Sequence, residues 1–168
     1  MASLVTENTN PALTHPLDLV EQIVTDQDWP FERFDEDEMA IGVAGSWCEY
    51  HMCFSLRPEL CMIQISCSFD MRISESRRDD VLVLFGLLNE KMLMGHFELF
   101  REARLPVFRH GMLLSEVSGL TSKQAEDLIQ VALRESERVY PALQLMLWGG
   151  KSPEQAVAAA LLETVGEA

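Results

Sequence analysis

The chain has 168 residues, and its 13 Lys and Arg against 27 Asp and Glu give a formal net charge of −14. That balance disfavours nucleic acid and anionic membrane surfaces, because both are held by neutralising phosphates with basic side chains. The length fits one domain able to bury a core without staples, and an apolar content of 48% fits a folded globular chain.

Residues 1–13 are polar and without pattern, so a flexible tail is expected there. A helix follows from about Pro16 to Gln27, with Pro16 at its first position and Leu17, Val20 and Val24 on its apolar face. Trp29-Pro30 ends it. Phe31–Phe34 reads as a short strand and Asp35-Glu36-Asp37 as a charged turn. Met39, Ile41 and Val43 alternate with smaller or polar neighbours, as a half-buried strand does. Trp47–Leu56 alternates again, with Cys48, Tyr50, Met52 and Phe54 facing one way. After a turn at Arg57-Pro58-Glu59, Cys61, Ile63, Ile65, Cys67 and Phe69 form the inner face of a further strand. Short turns between these strands favour antiparallel pairing.

The stretch Arg77–Arg101 reads as the centre of the fold. Val81, Leu84, Phe85, Leu88 and Met92 follow one helix face, and Leu82, Val83 and Leu87 add a second. A helix apolar on two sides needs cover from a second layer or a second subunit. Ser74 or Ser76 can cap its start, and Gly95 is the expected stop. Two strands follow, Phe97–Arg101 and Val107–Leu114. Thr121 and Gln124 make a capping box for a helix that Pro141 is expected to interrupt with a kink, the helix resuming through Leu143–Trp148. Gly149-Gly150 ends that helix, and Ser152-Pro153-Glu154-Gln155 starts the last one.

The expected class is therefore α+β. It is an antiparallel sheet of about five strands with helices packed on it, in the order α-β-β-β-α-β-β-α plus extra C-terminal helices. Residues 14–168 make one domain, with a core over 14–140 and a helical extension over 141–168.

Several short words carry a resemblance. Asp28-Trp29-Pro30-Phe31, Trp47-Cys48-Glu49-Tyr50-His51 and Phe69-Asp70-Met71-Arg72 are three of them. Leu88-Asn89-Glu90, Gly95-His96-Phe97 and Phe108-Arg109-His110 are three more. Together they resemble the YbjN family of bacterial sensory transduction regulators, and Leu147–Glu154 resembles its alphaproteobacterial branch. The resemblance runs over about residues 15–163. It implies a fold similar to type III secretion chaperones, often dimeric, and it brings no catalytic residues.

Other constellations are weaker. Gly150-Lys151-Ser152 follows a helix and lacks the first glycine of a phosphate-binding loop, so a helix end followed by a cap fits better. The four cysteines, Cys48, Cys53, Cys61 and Cys67, form no close pair, and Cys61 and Cys67 fall on a core face. Reduced thiols and no metal are expected. The acidic run Asp35–Glu38 lacks the glycine and distal glutamate of a calcium loop. Asn89 and Asp70 read as structural polar latches. Arg72, Arg77 and Arg78 are offset by Asp70, Asp79 and Asp80.

The resulting expectation is a cytoplasmic, non-enzymatic protein-binding regulator without cofactor. It forms a homodimer, takes a further protein partner, and binds neither nucleic acid nor membrane. Val83, Leu87 and Met94, on the second helix face and just beyond it, are assigned to the dimer interface. The alternative is a small-ligand sensor or enzyme that uses His96, Arg109 and His110 as one polar site.

Overall fold

The computed structural model describes residues 13–163. All of the expected tail except Leu13 lies outside them. Alternation and turn chemistry produce α1 (Pro16–Asp26), β1 (Phe31–Arg33), β2 (Glu38–Ala44), β3 (Glu49–Arg57) and β4 (Met62–Phe69). Then come α2 (Arg78–Asn89), β5 (His96–Phe100), β6 (Leu105–Leu113), α3 (Ser122–Leu147) and α4 (Pro153–Glu163). The strands form one antiparallel sheet of six, in the order β1-β2-β3-β4-β6-β5. The sixth member is the short strand β1, which pairs with β2 at the sheet's edge.

Period-two patterning sends one set of side chains inward. Met39, Ile41, Tyr50, Met52, Phe54, Ile63, Ile65, Phe69 and Phe108 are all at or near zero exposure. Their register partners match across the ladders: Ile41 lies opposite Met52, Phe54 opposite Ile65, and Cys67 opposite Phe108. A slip of one residue would turn this whole set to solvent, so burial fixes the register. α3 packs over β4 and β6 and α1 lies beside it, while α2 packs against β5 and α4 against α2 and α3.

The helix that organises the core is thus α3 rather than the Arg77–Arg101 stretch. It starts on the expected capping box: the Gln124 N–H donates to Thr121 Oγ1 at 3.2 Å, and the Thr121 N–H donates to Gln124 Oε1 at 3.0 Å. It buries Ala125, Leu128, Ile129, Ala132, Ser136, Val139, Ala142, Leu143 and Met146. Pro141 lies inside it and does not end it. The helix resumes beyond it as expected, with Val139, Ala142 and Leu143 buried on either side of the proline. It ends where expected: the Lys151 N–H donates to the Leu145 carbonyl at 3.2 Å, and Gly150 takes a φ of 67°.

α2 also departs from expectation. It stops at Asn89, not near Gly95. Asn89 then acts as the latch. Its Nδ2 donates to the Phe97 carbonyl at 3.0 Å, and its Oδ1 accepts the Phe97 N–H at 2.8 Å. One amide side chain thereby meets both backbone groups of Phe97. Val81, Leu84, Phe85 and Leu88 form the buried face as expected; the Phe85 ring lies tilted against Phe97, which meets Phe108 edge-on.

Replacing Asn89 with Ala leaves both half-buried backbone groups of Phe97 without these partners. Urea unfolding of Asn89→Ala should show a loss of about 1–3 kcal/mol. A loss well below that range would mean the latch is replaceable by water.

Candidate functional site

The sequence-predicted polar residues lie on two faces of the sheet. His96 is the register partner of Arg109, and both project from the face opposite the Phe97–Phe108 core. There, Glu98 Oε1 is 2.5 Å from Arg109 Nη2, and Glu98 Oε2 is 3.8 Å from His96 Nε2. All three side chains are partly exposed, so the cluster is a surface charge network of modest strength. His110, the next residue on β6, points the other way, toward α3. The structure therefore brings His96 and Arg109 together and places His110 elsewhere.

His110 lines a groove of about 450 Å³ between β6 and α3. Met94, Met112, Leu128 and Val131 supply its apolar walls, and Arg134 stands among its polar members. Gln124, Leu128, Val131 and Arg134 recur at helical spacing, so a single stripe of α3 forms the wall facing the sheet. Burial lowers the His110 pKa from its ordinary 6.5, and the neighbouring His96 adds to the effect. The neutral imidazole is favoured in the folded chain.

A second feature is the outward side of α2. Val83 is 49% exposed, and Leu82 is exposed beside it. Leu87 is half-buried. Beyond the helix, Leu93 is 100% exposed and Met94 47%. The added face that the sequence analysis singled out is therefore largely uncovered by the described residues. Gly86 lies on it too, and a Cβ there would meet nothing within 4 Å.

The thiols divide by depth. Cys67 is fully buried, and burial pushes its pKa up to about 12. Cys48 and Cys53 are partly buried, and burial raises both. Cys61, expected on the core face, is instead exposed. It sits in a left-handed turn at φ 47° just before β4 begins. Among the described residues, no group of three or more His, Cys, Asp or Glu converges as a metal site would. The Asp35 carboxylate accepts the Asp37 and Glu38 N–H groups at 2.7 and 2.8 Å, which makes the acidic run a turn. Among the described residues, no helix is long and apolar enough to cross a membrane.

A family model described as "Putative bacterial sensory transduction regulator", YbjN, matches residues 16–145. The chain belongs to the YbjN family. Among solved structures it is similar to YbjN of E. coli, with a TM-score of 0.49 and 15% identity over 75% of this chain and 95% of that one. It is also similar to the ExsC–ExsE complex, with a TM-score of 0.50 and 14% identity over 71% of this chain and 86% of that one. No curated protein matches. The α+β class expected from sequence holds for this YbjN-family chain, and the expected order of elements holds with β1 added after α1.

Sequence reasoning missed the groove. Met112, Leu128, Val131 and Arg134 come from two elements that only the folded chain brings side by side. One signal was available: the two final strands were read with unequal lengths, so the longer one had to outrun its partner.

A neutral His110 stabilises the fold above its unfolded pKa near 6.5, and that stability is lost as pH falls through the lower folded value. An NMR titration should place the His110 midpoint below 6.5. The fall in urea midpoint between about pH 7 and about pH 5 should be shallower in His110→Asn. A midpoint at or above the ordinary value contradicts the placement of this imidazole.

Proposed function

We propose that this chain is a non-enzymatic, cytoplasmic regulator that works by binding protein, as a homodimer joined through the outward side of α2. The observation that carries the reading is the uncovered apolar surface of Leu82, Val83, Leu93 and Met94 in a chain of net charge −14. Contiguous exposed apolar surface on an otherwise charged protein marks an interaction site. A two-fold dimer buries such a patch with one copy of each residue from either side. Val83, Leu87 and Met94 are the interface residues in this reading.

Gly86 supports it. A glycine inside a helix costs about 1 kcal/mol relative to alanine. Among the described residues nothing lies within 4 Å of a Cβ at this position, so their packing supplies no reason for the glycine. A second helix crossing close at this point would supply one. The family's description as a sensory transduction regulator and the two-protein character of the ExsC–ExsE complex support a partner-binding role. The organisation as one domain over residues 14–168 belongs to the same proposal. The alternative, an acid/base or ligand site built from His96, Arg109 and His110, is less favoured because His96 and Arg109 share one face of the sheet and His110 lines the groove on the other.

Light scattering behind size exclusion should give a dimer mass that holds on dilution. Val83→Asp and Leu87→Asp should each give folded monomers. Val83 is the cleaner test, since its side chain contributes less to the core. A monomeric wild type, or dimers that survive both substitutions, rejects the interface.

A further inference from the structure

β6 outruns its neighbour. β4 pairs with β6 from Val107 to Leu113, whereas β5 pairs with it only from Leu105 to Arg109. Gly95 produces the mismatch. Its φ of 68° turns the chain, and a Cβ there would stand 2.4 Å from the Phe108 ring and 2.8 Å from the Arg109 carbonyl oxygen. The chain therefore joins the ladder only at His96.

The phase of the backbone hydrogen bonds then decides what is left open. The Leu114 N–H donates to the Cys61 carbonyl at 2.7 Å, on the β4 side. Alternation aims the backbone of Met112 the same way and that of Gly111 and Leu113 the opposite way. On that side β5 has no residue to pair with them. Gly111 and Leu113 thus present an open strand edge, and Leu113 is 74% exposed.

The groove of about 450 Å³ adjoins this edge. Met94, Met112, Leu128 and Val131 wall it, with His110 and Arg134 as polar members. Over β4 the inward side chains are fully buried beneath α3. Here α3 already stands over the place that a further strand would fill. The charges also select. Asp127, in the same groove, is paired with Lys123. Arg134 has no ion pair among the described residues.

We propose that the open edge of β6 and the adjoining groove dock an extended segment of a partner protein. The segment carries apolar side chains at alternate positions and one carboxylate placed to reach Arg134. Its backbone pairs with Gly111 and Leu113, one apolar side chain enters between Met112 and Val131, and its carboxylate meets the guanidinium. Backbone pairing supplies affinity that tolerates sequence variation, and the groove and the charge supply selection. The site rests on the protein-binding reading above; it shares Met94 with the proposed α2 interface, while its strand edge and its α3 stripe lie apart from Val83 and Leu87.

The test is fluorescence anisotropy on the full chain. The probe is a panel of labelled, acetylated heptapeptides that alternate Val, Ile, Leu or Phe with Thr and carry one Glu. Saturable binding with a Kd below about 1 mM is expected for at least one member. Arg134→Glu should weaken it by about tenfold or more, and a Glu-to-Lys peptide should recover binding to that variant. Leu113→Pro removes an N–H that faces only the open edge, so it should weaken binding by a similar factor with the ladder to β4 kept. Binding by no peptide, or binding indifferent to both substitutions, overturns the proposal. So does a Leu113→Pro chain whose oligomeric mass falls, since the edge would then belong to a second copy. If the peptides fail while the α2-dependent dimer persists, the docking site falls and the protein-binding reading stands.

Discussion

The structure depends on one contact surface, the inner face of β4 and β6 pressed under α3. Every inward side chain of β4 and the Phe108 ring of β6 are buried there, in one core with Ala125, Leu128, Ile129 and Ala132 of the helix, and Phe69 meets the Tyr140 ring edge-on. Small residues on the helix let it lie close, and large ones on the strands fill the space below. Because the alternation has period two, this burial also sets which side chains face outward, including Arg109 and Glu98. The other helices add to the sheet at its flanks, α1 on the β2–β3 side and α2 on β5.

Element type and order were legible because they rest on local signals. The alternation at Met39, Ile41 and Val43 needs no tertiary knowledge, and neither does the capping box at Thr121 and Gln124. Lengths and endpoints were less legible. α2 ends six residues before Gly95 because its last residue, Asn89, bonds the backbone of Phe97. Nothing in helix periodicity announces such a tie. Pro141 marked an interruption in the sequence, and the helix runs on through it to Leu147.

The candidate site shows the same division. His96, Arg109 and His110 are close in the strand pairing, yet adjacent residues on one strand face opposite ways, so His110 parts from Arg109. The outward side of α2 was readable because a helix cannot bury two opposed faces against one layer. The groove was not, since its walls come from β6 and from a helix stripe that lies later in the chain.

The sheet's strand order also has a kinetic meaning. β4 and β6 lie side by side, but α2 and β5 intervene between them in the chain. The α2–β5 unit is local and is held by the Asn89–Phe97 tie, so it can form early. The β4–β6 ladder must wait for a long loop to close, and such non-local pairing is slow. During that wait β4 has β3 on one side and nothing on the other. As the chain leaves the ribosome, this transient strand edge, rather than any edge of the finished sheet, is the place most exposed to mispairing with other chains.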